Sequence, residues 1–238
     1  MKNTQYANNY VKPSSDSRKI SVIIFFLAII TFFTSLLAVK VLQKTNLIKA
    51  FSSKASATSQ VNIDLSEDLE NADYIPLFLQ TDERWGSLDY GDDCIATSGC
   101  GPTCLSMVRC GLGNDGKWNP YKVARIVEEN GYYKTGYGTS WDCMREGAEL
   151  IGLEYHEVIF DEEHIINELR SGTPIICSMS PGDFTTTGHY IVLTGVTDDD
   201  RIILNDPNSN ENSFKYWDID VIMSQVKNLW GYSLAENS

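Results

Sequence analysis

The chain is expected to be an α+β protein, with helices first and an antiparallel sheet after them. Three observations lead there. Apolar residues at helical spacing (Leu105 and Val108, then Val123, Ile126 and Val127) occupy the middle of the chain. Branched and aromatic runs at 174–179, 189–196 and 201–205 follow, separated by turn residues, as in paired strands. Helical and strand patterns are thus segregated along the chain rather than alternating.

The first 60 residues stand apart. They carry eight Lys/Arg and one acidic residue, a net +7, whereas residues 61–238 carry 11 Lys/Arg against 31 Asp/Glu, a net −20. That acidic balance argues against nucleic acid as a partner, since phosphate binding needs the opposite sign. Residues 1–19 are a polar tail. Residues 21–39 contain no charge and are dominated by Ile, Phe, Leu and Val. Nineteen residues at 1.5 Å rise span about 28 Å, close to a bilayer's hydrocarbon thickness. A transmembrane helix is therefore expected over 20–39. A cleaved signal peptide is the rival reading, but its apolar region is shorter, and Ala55-Ser56-Ala57 lies too far downstream to be its cleavage site. Four lysines or arginines precede the segment and four lysines follow it, so charge nearly ties on orientation; the adjacent Arg18-Lys19 pair favours an inside N-terminus. Residues 40–73 run basic, then Ser/Ala/Thr-rich, then acidic. Such a linker holds the following domain about 30 Å from the membrane on average. The domain is placed at 74–238, a length that buries a full core.

Within it, 74–79 is a short apolar leading segment ending at Gln80, and 82–99 is loop-rich. A helix is expected just after Cys100, followed by a Gly/Asn loop at 111–116. Asn119 then caps a helix begun by Pro120 and running to about 130. Residues 131–140, rich in Gly, Ser and Tyr, are expected as a loop beside a cleft. A helix near 141–151 precedes a strand at 154–160. Asp161 caps a helix through 169, ended by Gly172. The three sheet runs follow, then a helix near 218–227 and a short strand at 230–233.

The chemistry centres on Ser98-Gly99-Cys100-Gly101-Pro102-Thr103-Cys104. Proline is at home in a helix's first turn, which sets Cys100 just ahead of a helix N-terminus, where the dipole and free amides favour a thiolate. The flanking glycines admit close backbone approach of a carbonyl. The alternative is a buried structural cysteine in a tight turn. Cys104 is a rival nucleophile, but lies one turn further in, where the dipole's effect fades. The six cysteines (94, 100, 104, 110, 143 and 177) contain no Cys-x-x-Cys pair or zinc spacing. If Cys100 is a free thiol, at least one of the remaining five is unpaired as well.

A thiol needs a base. His156 falls in a predicted strand and is expected as a packed or solvated residue, and His164 falls in the first turns of a charged helix, expected at the surface. His189 follows Gly188 and opens the strand Tyr190-Ile191-Val192-Leu193, a rigid place from which to aim an imidazole. Asp206 ends the next strand. With Asp198-Asp199 as a two-residue hairpin loop, Asp206 falls opposite Ile191 and diagonal to His189 on one face, within side-chain reach; a three-residue loop would break that parity. An ordinary Asp-Pro turn is the alternative for Asp206. Gln80 is a candidate oxyanion donor, a contribution of about 3–4 kcal/mol. Trp85, Trp118, Tyr132, Tyr133, Tyr137 and Trp141 are expected mainly in packing, with some lining a groove.

Gln80-Thr81-Asp82, Ser98-Gly99-Cys100-Gly101-Pro102-Thr103, Gly188-His189-Tyr190-Ile191-Val192-Leu193 and Asn205-Asp206-Pro207 occur in the chain order of the papain superfamily. More narrowly, they resemble the bacteriocin-processing (double-glycine) peptidase-like family over about residues 74–233. The resemblance implies a papain-like fold, with Cys100 as nucleophile, His189 as base, Asp206 as orienter and Gln80 in the oxyanion hole. In transporter-borne members the glutamine lies only a few residues before the cysteine; here twenty separate them. No transporter membrane domain or ATPase follows in this sequence, so leader cleavage coupled to export is not expected. Stand-alone tethered relatives face outward, which implies an extracellular domain. The expectation is thus a membrane-anchored cysteine peptidase needing no cofactor or metal, acting on a peptide or protein. The alternatives are a cell-wall endopeptidase or amidase and a non-catalytic binding domain on the same scaffold.

Overall fold

The computed structural model describes residues 63–72 and 74–236. The expected transmembrane helix at 20–39, the polar tail and most of the linker lie outside the described residues. Among the described residues no helix is long and apolar enough to cross a membrane.

The element order is α1 (Ser66–Glu70), β1 (Asp89–Tyr90), β2 (Asp93–Cys94), α2 (Ile95–Ser98), α3 (Cys100–Gly113), α4 (Pro120–Glu129), β3 (Tyr133–Lys134), β4 (Gly138–Thr139), a π-helical turn (Cys143–Gly147), β5 (Leu153–Glu157), α5 (Glu162–Arg170), β6 (Ile175–Met179), β7 (His189–Val196), β8 (Ile202–Asn205), α6 (Asn210–Ser213), α7 (Ile219–Gln225) and β9 (Val226–Leu234). Mixed helices and an antiparallel sheet are present as expected. The main sheet has five strands in the order β5-β9-β6-β7-β8, every pair antiparallel.

The sheet has two covered faces. Ile176, Tyr190, Val192, Trp230 and Tyr232 share a core with α3 and α4. Ile175, Cys177, Ile191, Leu193 and Leu204 share the other with Ile165 and Leu169 of α5 and Ile219 and Ile222 of α7. The alternation of period two along each strand sorts these residues. Helix α3 is the centre of the first core. Ten consecutive residues, Gly101 to Cys110, are buried, so it has no solvent face in that stretch. Even Arg109 is enclosed: its Nε donates to the Ile151 carbonyl at 2.7 Å and its guanidinium lies over Trp118.

Several boundaries differ from expectation. Helix α3 continues through Gly111 to Gly113 and ends at Asn114 in the left-handed conformation (φ 45°). Gly111 and Gly113 serve close approach rather than termination: a Cβ would lie 2.6 Å from the Tyr74 carbonyl oxygen at the first and 2.0 Å from Arg109 Nη1 at the second. The loop-rich 82–99 holds a two-stranded ribbon, β1–β2, and α2, while 131–140 holds a second ribbon, β3–β4. Strand β5 stops at Glu157, leaving Ile159 and Phe160 exposed. The last strand starts at Val226 and has nine residues, because it runs between β5 and β6 and pairs with both. The caps fall where expected: Asn119 accepts from Lys122 N–H and Asp161 from His164 N–H.

Candidate active site

Cys100 is the first residue of α3, with Gly99 as its cap, rather than a residue ahead of the helix. Both flanking glycines are demanded by packing. A Cβ at Gly99 would meet the Ile95 carbonyl oxygen at 2.5 Å, and one at Gly101 would meet Thr139 Cβ at 2.8 Å. Helix α2 can thus turn directly into α3, and β4 can lie against the helix start. Half-buried Cys100 faces a cleft of about 720 Å³. The β3–β4 ribbon and Trp141 form one wall, and Ser178, Met179 and Gly188 form another. Trp141 Nε1 donates to Ser178 Oγ at 3.1 Å.

His189 opens β7, as expected, and is buried. Its Nε2 lies 2.7 Å from Asp206 Oδ1, and its ring also interacts with Cys100. Burial alone raises a thiol's pKa. In Cys100 that effect is outweighed by the neighbouring His189, helped by the backbone amides of Tyr190 and Gly101, and the thiol is held below its ordinary value. Burial likewise lowers His189, but the Asp206 and Cys100 hydrogen bonds and charges prevail and raise it to about 10. The arrangement favours the ionised forms of both the thiol and the imidazole, beside a buried carboxylate.

Asp206 reaches this position by a route that the sequence did not predict. The hairpin loop has three residues, 198–200, with Thr197 N–H bonded to the Arg201 carbonyl (2.9 Å) and Asp200 at φ 65°. That register would put Asp206 on the wrong parity. A bulge between Leu193 and Gly195 shifts the pairing back by one, giving Val192↔Asn205, and the next step sets Asp206 opposite Ile191. Two departures cancel, and the expected neighbour results.

Gln80 is buried beside the segment that follows Asp206. Its backbone N–H donates to the Pro207 carbonyl and its Nε2 to the Ala96 carbonyl, both at 2.7 Å. Its Oε1 is buried without a partner among the described residues. One of the two Nε2 hydrogens remains for another acceptor. Asn205 Nδ2 ties the Ile75 and Pro76 carbonyls to the end of β8, anchoring the leading segment there.

The rival candidates lie elsewhere. Burial pushes the Cys104 thiol well above its ordinary value and raises Cys143 and Cys177 too, while Cys110 is pushed up to about 12. All six cysteines are free. His156 and His164 both face Glu168 Oε1, at 3.1 and 3.7 Å, on the exposed side of α5. Of the aromatics, Tyr133, Tyr137 and Trp141 line the cleft, Trp85 is wholly buried, and Trp118 and Tyr132 pack against the core. Among the described residues no cluster of His, Cys, Asp or Glu is arranged to hold a metal ion. Sequence reasoning noted Asn205 without giving it a role and missed Asn212, whose side-chain amide donates to the Asp206 carboxylate. The only local hint is their placement around Asp206-Pro207.

The model of the Peptidase_C39 like family matches residues 72–235. Among solved structures, the peptidase domain of Streptococcus ComA, a bi-functional ABC transporter involved in a quorum sensing pathway, is 21% identical, with a TM-score of 0.44 over 58% of this chain and 92% of that one. A double glycine motif protease from an AMS/PCAT transporter, solved in complex with the leader peptide, is 18% identical, with a TM-score of 0.41 over 62% of this chain and 90% of that one. A search of curated proteins finds no match. From the extent of the family match, this chain belongs to the Peptidase_C39 like family.

Proposed function

We propose that residues 74–238 form a cysteine peptidase, tethered by residues 20–39 to a membrane whose outer side it faces, that hydrolyses peptide bonds through Cys100, His189 and Asp206. The observation that carries this reading is the continuous chain from sulfur to imidazole to buried carboxylate, opening on one cleft. The Cys100 thiolate attacks the scissile carbonyl carbon, forming the C–S bond. The oxyanion is received by the Cys100 N–H and the spare Gln80 Nε2 hydrogen. His189 delivers its proton to the leaving amine as the C–N bond breaks. The neutral imidazole then takes a proton from water, which attacks the thioester, releases the acid and restores the ion pair. Asp206 keeps the ring oriented throughout.

Iodoacetamide tests the core of the reading without a known substrate. Rapid alkylation of Cys100, slowed at least a hundredfold in His189→Ala, is the expected result. Slow labelling of accessible cysteines at similar rates would overturn it in favour of a binding domain. A tag placed after Ser238 and digested by protease added to intact cells tests the outward orientation; protection of the tag would reverse it.

A further inference from the structure

We propose that Asn212 is a positioning residue of this site: its side-chain amide holds the Asp206 carboxylate in the plane in which it meets His189. The proposal rests on the peptidase reading above. Asp206 is 1% exposed, so its oxygens depend on protein donors. Oδ1 receives His189 Nε2 at 2.7 Å and Asn208 N–H at 2.9 Å. Oδ2 receives Asn212 Nδ2 at 2.8 Å, its one donor among the described residues. Rotation about the Cβ–Cγ bond breaks the bonds at both oxygens, so the Asn212 amide adds a third restraint to the two already on Oδ1.

The short segment that presents Asn212 is pinned on both sides. Asn212 N–H donates to Ser209 Oγ at 3.1 Å, and its carbonyl accepts from Trp217 Nε1 at 2.9 Å. The next residue reaches the same aspartate from its backbone, since Asp206 N–H donates to Ser213 Oγ at 2.9 Å. A neutral amide suits this task. A lysine or arginine would fix the carboxylate equally well but would offset the charge that keeps His189 protonated. The titratable neighbours of Asp206 are His189 on β7 and the Cys104 thiol of α3, which feels its charge. Glu211, on the same short helix as Asn212, pairs with Lys215 at 2.7 Å and is exposed.

The test follows the rate of Cys100 alkylation by iodoacetamide against pH, in the full chain, for wild type, Asp206→Ala, Asn212→Ala and Asn212→Asp. In Asn212→Ala the acid limb of the profile is expected to move up by about one pH unit, so that labelling below the limb slows about tenfold. Asn212→Asp keeps the side-chain shape and places a second carboxyl against Asp206. Its profile is expected to gain an inflection where the two carboxyls lose the proton they share. The inflection shows that the side chain at 212 is in contact with Asp206 in solution, and its absence overturns the proposal. Slow labelling in Asp206→Ala, with wild-type profiles in both Asn212 variants, overturns the role of Asn212 alone. Wild-type labelling in Asp206→Ala overturns the peptidase reading beneath it. Should Asn212→Ala fail to fold, the isosteric Asn212→Asp profile decides the matter by itself.

Discussion

Two histidine–carboxylate pairs in this domain differ in what surrounds them. His189 and Asp206 meet at 2.7 Å with their side chains 7% and 1% exposed. His156 and Glu168 meet at 3.1 Å with 50% and 20% exposed, and His164 approaches the same carboxylate from one helical turn away. Similar groups at similar distances have unlike consequences, because water screens the second pair and is excluded from the first. The buried pair is joined to a thiol, and its imidazole is raised to about 10.

Substitutions separate the two pairs. Asp206→Ala leaves a buried His189 without its anion and is expected to cost about 3–5 kcal/mol in urea denaturation, besides slowing Cys100 labelling. Gln80→Ala is expected to lower kcat on a cleaved peptide about a hundredfold or more, equivalent to about 3 kcal/mol, while leaving Cys100 alkylation near wild type. Equal losses in both assays would make Gln80 a support for the loop rather than an oxyanion donor. Gly101→Ala drives a methyl against Thr139 and is expected to cost about 1–3 kcal/mol in the same denaturation assay. Its effect reaches the site by displacing β4 from the start of α3.

The pH dependence sharpens the comparison further. His189 lies above its unfolded value of 6.5, so its contribution to stability is fully present below that value and is lost as pH rises through about 10. Cys100 lies below its ordinary value, so its contribution is present above that value and is lost as pH falls through the lowered one. Peptide hydrolysis is accordingly expected to fall on the alkaline side near pH 10, where the leaving amine loses its proton donor, while alkylation continues there. The smallest effect is expected at the surface: Glu168→Ala should change stability by less than about 0.5 kcal/mol and leave the alkylation profile of Cys100 unaltered.

Local signals in the sequence were legible where the physics is local. Asn119 and Asp161 cap the helices expected of them, and β7 begins and ends at the residues its branched run marks. Signals that depend on a distant partner misled. Gly111 and Gly113 look like a helix stop but are seats for Tyr74 and Arg109. The modest run at 230–233 is part of a nine-residue strand because β5 and β6 are there to pair with it. The hairpin shows both cases at once: the expected loop length was wrong, and the bulge at Thr194 restored the expected neighbour.

By itself the sequence determined the α+β class, the order of the candidate residues and the rigid elements that bear two of them. Caps, proline positions and period-two runs act within a few residues, so their consequences can be read along the chain. Tertiary structure alone decided the surroundings that lower the Cys100 thiol and raise the His189 imidazole. Those outcomes depend on burial and on charges brought together from residues 100, 189 and 206, and water is removed from that meeting point only when α3 packs onto the sheet.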